Sequence, residues 1–289
     1  MIPSLSLLFM DIKKIALSLL MVFASSASGV HSGIMTSNTV SDIPSQTKII
    51  RATASGTPAG IEKNNPEIKK DWNKPFPILM YHHVRIYNNP HDPIGVNLSV
   101  SPKNFIAQLD YLKKSGYTTV TFDDLDNGVI PRKPIVLTFD DGYDNFYTNV
   151  FPELKKRGMT AVSFIIVNRV NQKGYMTANE IKKISENGVE IGCHTWTHPD
   201  LKESKDLNKE IIQSKKTLEK MFNLHIVSFS YPSGEYNARV LNEVKKAGFE
   251  YAVTTHYGVA NTKNNLTLPR IRISPGTNLK RLLEKAGVK

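Results

Sequence analysis

The sequence is poorest in cysteine, with a single one, Cys193, in 289 residues. An intramolecular disulfide is therefore excluded, and so is a thiolate zinc site, which needs several cysteines. No apolar run is long enough to span a bilayer. The longest, residues 15–24, is about half of the roughly 20 residues a span needs. Internal repeats, Arg-rich helices and nucleic-acid-binding modules are also absent, so nucleic acid is not an expected partner. Acidic residues are in deficit: 26 Asp and Glu face 37 Lys and Arg, a net charge of +11. The excess is mostly scattered lysine. It suits a solubilising surface or contact with anionic cell-wall polymers.

What is present divides the chain into three parts. Lys13 and Lys14 precede the apolar run, and Ser25, Ser26, Ala27, Ser28 and Gly29 follow it. A positive flank, a short apolar core and a small-residue exit make a secretory signal peptide over residues 1–28, cleaved near Ala27 or Ser28. Residues 29–74 are rich in Ser, Thr, Pro, Lys and Asn and read as a flexible tether. Residues 75–289 carry the folded domain, in a chain whose 40% hydrophobic content is enough for a core.

In that domain, short apolar runs alternate with amphipathic stretches. Strands are expected over 78–82, 135–139, 161–167, 189–193, 227–231, 251–255 and 268–273. Helices are expected over 102–115, 145–157, 177–187, 207–222, 238–247 and 278–285. Gly116, Gly158, Gly188 and Gly248 supply helix stops. Repeated strand–helix units imply an α/β fold, a parallel sheet covered by helices, either open or closed into a barrel. In both cases functional groups gather at the C-terminal ends of the strands. His82-His83, Asp140-Asp141, His194 and Ser233-Gly234 all stand at such ends.

Three segments carry the chemistry. Thr138-Phe139-Asp140-Asp141-Gly142 ends a strand in two adjacent carboxylates, whose repulsion a bound cation or a raised pKa relieves; a plain turn is the alternative. His194-Thr195-Trp196-Thr197-His198 spaces two imidazoles four residues apart. If the backbone curls, both reach one metal, and a carboxylate from another strand completes a three-ligand site with a position open for water. Ser230-Tyr231-Pro232-Ser233-Gly234 exposes backbone N–H groups able to stabilise an oxyanion.

In this order, from about Phe76 onward, these segments resemble the polysaccharide deacetylase family, also known as the NodB-homology family or carbohydrate esterase family four. The resemblance implies a distorted (β/α)7-like barrel and a metal-dependent hydrolase. Asp141, His194 and His198 would bind one divalent metal, most commonly zinc in this family, and Asp140 would be the general base. Two departures stand out. The family's Arg-x-Pro-Tyr is Ser230-Tyr231-Pro232-Ser233 here, so the arginine that pairs with the base is missing; Arg270 or Arg272 is expected to replace it. The Ser233 N–H would still serve the oxyanion. The late Leu-x-His that supplies a general acid is also missing, and Met80-Tyr81-His82-His83 stands before the aspartate strand instead. That order resembles a circularly permuted deacetylase domain of the branch acting on poly-β-1,6-N-acetyl-D-glucosamine, the biofilm exopolysaccharide. His82 would be the acid, with His83 the adjacent alternative; strand alternation lets only one face the site. Tyr143, Trp196, Tyr231 and Tyr236 are candidates to stack on sugar rings. Chitin oligomers and peptidoglycan are the rival substrates, and a non-catalytic glycan-binding wall protein is the rival function. A monomer, secreted and retained at the cell wall, completes the expectation.

Overall fold

A computed structural model describes residues 74–288. The signal-peptide assignment and, apart from Lys74, the tether assignment lie outside these residues. The strands are β1 (Ile78–Tyr81), β2 (His83–Val84), β3 (Ser99–Val100), β4 (Thr118–Thr119), β5 (Pro134–Phe139), β6 (Val162–Ile165), β7 (Glu190–Cys193), β8 (Ser228–Ser230), β9 (Tyr251–Tyr257) and β10 (Leu268–Arg272). The α-helices are α1 (Pro93–Asn97), α2 (Pro102–Lys114), α3 (Phe122–Asp126), α4 (Phe151–Arg157), α5 (Ala178–Ser185), α6 (Ser214–Phe222), α7 (Ala238–Lys246) and α8 (Leu279–Lys285).

Seven parallel strands close into a barrel in the order β1-β10-β9-β8-β7-β6-β5, and β5 pairs back to β1. All seven correspond to strands expected from the sequence. The short β4 pairs with the first residues of β5, and β2 with β3 forms a separate two-stranded ladder. Because β1 lies between β10 and β5, the first strand of the domain closes the ring beside the last. Side-chain alternation then sorts the residues. Ile78, Val136, Val162, Phe164, Val253 and Leu268 fill one cluster with Phe122 of α3; Leu79, Leu137, Ile165, Ile191 and Ile271 pack in a second with the helices. Each buried aliphatic or aromatic side chain contributes about 1.5–3 kcal/mol of transfer free energy.

The two ends of the barrel differ. At the N-terminal end, Thr121 and Asp124 form a capping box on α3, and Phe122 packs against Phe164 and Tyr251. Glu190, at the start of β7, accepts the Asp123 N–H at 2.9 Å and the Ser228 hydroxyl. Burial pushes the Glu190 carboxyl up to about 7, against the hydrogen bonds that favour its charged form. Its folded pKa thus lies above the ordinary 4.5. Its contribution is present in full below pH ~4.5 and is lost as pH rises through ~7. Glu190→Gln is expected to raise stability by about 1–3 kcal/mol at pH 8 and to bring no gain at pH 4.5, measured by urea melts at the two pH values.

The C-terminal end is open and irregular. The helical segments after β5 and β7 begin with π-helical turns, Phe146–Val150 and Asn208–Gln213, before continuing as α4 and α6. The sequence pattern reads both segments as continuous α-helix, because a single π-helical turn is too short to show as a break in the apolar period. Such turns are frequent near functional sites. Among the described residues, no helix is long and apolar enough to cross a membrane.

Candidate metal centre and active site

The site is built on strand ends. Thr138 and Asp140 alternate with the outward Phe139, and the Asp140 N–H donates to the Tyr81 carbonyl of β1 at 3.0 Å. Asp141 follows in the left-handed region, at φ 76°. From β7, the His194 N–H is anchored on the Ile165 carbonyl at 2.9 Å. Thr195 and His198 are left-handed, at φ 67° and 64°, and the Thr195 hydroxyl accepts the His198 N–H at 2.8 Å. That curl brings residues four apart to one point. Ser233 is left-handed as well, at φ 55°. Of six non-glycine residues with positive φ among those described, these four surround the strand ends, and the other two are Asn171 and Asn223. Asparagine tolerates that conformation readily; elsewhere it is strain that the surrounding structure must hold.

Asp141, His194 and His198 offer ligand atoms within 4.8 Å of one another. Asp141 Oδ1 lies 3.4 Å from His194 Nε2 and 3.7 Å from His198 Nε2, and the two rings meet edge to face at 4.8 Å. His194 Nδ1 is 2.7 Å from the Ser230 carbonyl, which can only accept, so Nδ1 carries the proton. In the neutral ring Nε2 is then a lone pair directed at a carboxylate oxygen. Two acceptors facing each other are reconciled either by a proton on Nε2 or by a metal cation between them. Tetrahedral bonds of about 2.0–2.1 Å separate neighbouring ligand atoms by roughly 3.4 Å, close to both distances. The donor set therefore fits a divalent ion. Burial pushes the His194 pKa down, but Asp141 and Asp140 hold it above the ordinary value; burial and the His194 charge leave His198 below it.

Asp140, only 3% exposed, stands beside this set. Arg270, with no exposed surface, grips it in a fork: Nη1 to Oδ1 at 2.8 Å and Nη2 to Oδ2 at 2.7 Å. Arg270 Nε donates to the Thr254 carbonyl at 2.8 Å, and Nη1 and Nη2 also reach the Thr138 and Ser230 hydroxyls at 3.1 and 3.2 Å. Burial pushes the Asp140 carboxyl up, yet the Arg270 charge and hydrogen bonds hold it well below the usual carboxylate range. Of the two arginines offered by the sequence, Arg270 makes the pair, while Arg272 is exposed.

His82 faces the same space, its Nε2 3.9 Å from Asp140 Oδ2. Burial lowers its pKa more than Asp140 and Asp141 raise it. His83 turns away: it stacks on Tyr143 at 3.6 Å, and its Nδ1 is 2.8 Å from Asn145 Nδ2. Burial and Arg85 push it down to about 4. Ser233 sits exposed on the 3-10 turn Pro232–Gly234, and its carbonyl accepts the Thr255 hydroxyl at 3.0 Å. A Cβ on Gly234 would come within 2.1 Å of Thr255 Oγ1, so only glycine fits there. Of the four aromatic candidates, Tyr231 is corrected. It is fully buried between Phe229 and Tyr236, with its hydroxyl on the Leu266 carbonyl, and has no face for a sugar. Tyr143, Trp196 and Tyr236 are half-buried. Cys193 is buried against the Ser214 hydroxyl at 3.2 Å, and burial pushes its thiol up to about 11, which leaves it unreactive. The residues that sequence reasoning missed are Asn145, which anchors His83, and Glu210, which holds the loop between the two histidines. No signal in the sequence separates either from an ordinary helical polar residue.

The chain is similar to known proteins in sequence and fold. A family profile described as polysaccharide deacetylase matches residues 127–252. YxkH of Bacillus subtilis, named for the same family, is 33% identical over 217 residues, covering 72% of this chain and 75% of its own. A Staphylococcus aureus poly-β-1,6-N-acetyl-D-glucosamine N-deacetylase is 29% identical over 229 residues, 68% of this chain and 78% of its own. The Streptococcus pyogenes deacetylase PplD, solved in complex with acetate, superposes with a TM-score of 0.69 at 31% identity, covering 74% of this chain and 99% of that one. A seven-stranded parallel barrel with the Asp-Asp and His-x-x-x-His strand ends, matched at this level, identifies the chain as a member of the polysaccharide deacetylase family, an enzyme acting on N-acetyl amide bonds.

Proposed function

We propose that this enzyme is a secreted, zinc-dependent deacetylase of poly-β-1,6-N-acetyl-D-glucosamine that releases acetate and leaves glucosamine units in the polymer. The observation that carries the reading is the Asp141–His194–His198 set beside an ionised carboxylate that is locked by Arg270 and faced by His82. A divalent ion bound there lowers the pKa of water and polarises a carbonyl.

The chain's own residues do the rest. Asp140, kept ionised and fixed in orientation by Arg270, takes the proton of the attacking water. The Ser233 N–H, on its strained turn, donates to the oxyanion as the acetamide carbon becomes tetrahedral. His82, across the site from the metal set, gives a proton to the departing amine. Trp196, between the two histidines, and the half-buried Tyr236 offer aromatic surface to a sugar ring; Tyr143 does not, because its ring is already stacked on both His83 and Tyr175. The β-1,6 linkage is supported by the S. aureus relative and by the histidine element that follows the first strand, ahead of the aspartate strand. Export through the signal peptide, a monomeric state and retention on anionic wall polymers by a chain of net charge +11 complete the reading.

Acetate release from β-1,6-linked and β-1,4-linked N-acetylglucosamine oligomers tests the substrate. Faster release from the β-1,6 series is expected; preference for β-1,4 would assign chitin oligomers or peptidoglycan instead. His82→Ala is expected to lower kcat by about 10²–10⁴-fold with metal content unchanged, and loss of metal from this variant would mean that His82 is a ligand rather than the acid.

A further inference from the structure

The loop 194–198 must stay curled for its two imidazoles to share a point, yet three of its groups point away from the site and need partners. One side chain serves all three. Glu210 Oε2 accepts the Trp196 N–H at 3.0 Å and the Thr197 N–H at 2.8 Å, and Oε1 accepts the Thr197 hydroxyl at 2.8 Å. Glu210 is only 7% exposed, and among the described residues no Lys or Arg forms an ion pair with it. A buried carboxylate without a cation is costly unless hydrogen bonds satisfy it. Here the loop itself supplies them.

The backbone around Glu210 is shaped for this task. It lies on the π-helical turn Asn208–Gln213. The Ser214 hydroxyl bridges the carbonyls of Glu210 and Ile211 at 2.6 and 2.9 Å and contacts Cys193 Sγ at 3.2 Å, on the strand that ends at His194. From the opposite side, the Thr195 and Trp196 carbonyls accept the Val167 and Asn168 N–H groups at 3.1 Å each. The loop is thus held from both sides, and the Glu210 side is the one that depends on a single side chain.

We infer that Glu210 is a positioning residue for the metal centre: its carboxylate fixes the curl of residues 195–197 and so sets the separation and direction of His194 and His198. The inference rests on the metal reading above. Residues that orient ligands typically change metal affinity by 10–100-fold when altered.

The test measures Zn2+ affinity of the full chain, stripped and reloaded, by competition with a chromogenic chelator. Folding is checked by circular dichroism. Glu210→Asp keeps the charge but withdraws it by about one bond length (~1.5 Å); it is expected to weaken Zn2+ binding by about 10–100-fold. Glu210→Gln keeps the reach and an oxygen for the two N–H groups, while its NH2 can donate to the Thr197 hydroxyl; it is expected to stay within about threefold of the parent. Asp at parental affinity would overturn the inference. So would Gln as weak as Asp, which would make the charge, and not the hydrogen bonding, responsible. If Glu210→Asp does not fold, Thr197→Val replaces it: removing one of the three bonds is expected to weaken Zn2+ binding measurably, and parental affinity would overturn the inference. A parent that binds no Zn2+ would defeat the metal reading itself, a result distinct from all of these.

Discussion

Asp140→Asn is expected to lower kcat for acetate release by about 10²–10⁴-fold, the usual contribution of a general base, while Zn2+ affinity stays close to the parent's. The reasoning is geometric. Both carboxylate oxygens are fixed by Arg270, and neither belongs to the ligand set on Asp141, His194 and His198. Asparagine keeps the shape and can still accept from one guanidinium N–H, but it cannot take a proton from water. Full activity in a variant shown to be folded and metal-loaded would remove Asp140 from the chemistry.

The second large effect comes from the other half of this pair. Arg270→Met leaves Asp140 buried without its cation. Breaking a buried pair on one side costs about 3–5 kcal/mol. The sign of the pH dependence follows from the carboxyl. In the parent, Asp140 lies below its ordinary 3.8, so its contribution is present above that value and is lost only as pH falls through the lower folded pKa. Without Arg270 the upward push of burial is opposed only by the nearby His194 and His82, and the folded pKa of Asp140 rises from its parental position. The penalty in Arg270→Met is therefore largest at neutral pH and shrinks toward acid, and the acid limb of kcat/KM moves to higher pH. Urea melts at pH 7 and pH 4 read the first effect, and a pH–rate profile reads the second. The double variant Arg270→Met/Asp140→Asn removes both charges and is expected to regain much of the stability lost in Arg270→Met. Strict additivity of the two single changes would show that the pair is not coupled.

Most of the barrel was legible because its signals are local. Seven short apolar runs, separated by amphipathic stretches with glycine stops, give seven parallel strands, and the left-handed φ of Gly116, Gly158, Gly188 and Gly248 is what those stops require. Closure was not legible in the periodicity, since pairing of β5 with β1 is a long-range event without a pattern in either strand; only the family resemblance of the strand-end motifs implied a barrel, and the seven strands do close. The strand-end motifs marked Asp140, Asp141, His194, His198 and Ser233, all of which fall within residues 127–252 of the family match. His82 and Arg270 lie outside that segment, just after the first strand and on the last, and meet Asp140 only because β1 is a neighbour of both β5 and β10 in the closed ring. Alternation could not choose Arg270 over Arg272, since residues two apart share a face of β10; what separates them is depth, Arg270 being fully buried beside Asp140 and Arg272 exposed. Tyr231 is a candidate in the sequence but a core residue in the fold, because its motif position says nothing of burial. Glu210 carried no signal because its partners are main-chain N–H groups, which any loop possesses.

The central claim is that a divalent ion held by Asp141, His194 and His198 is required for deacetylation. Acetate release from the β-1,6-linked polymer, measured before chelation, after it, and after return of one equivalent of Zn2+, tests it directly. Activity is expected to vanish with the chelator and to recover with about one ion per chain. An undiminished rate in protein from which all metal has been removed would contradict the account.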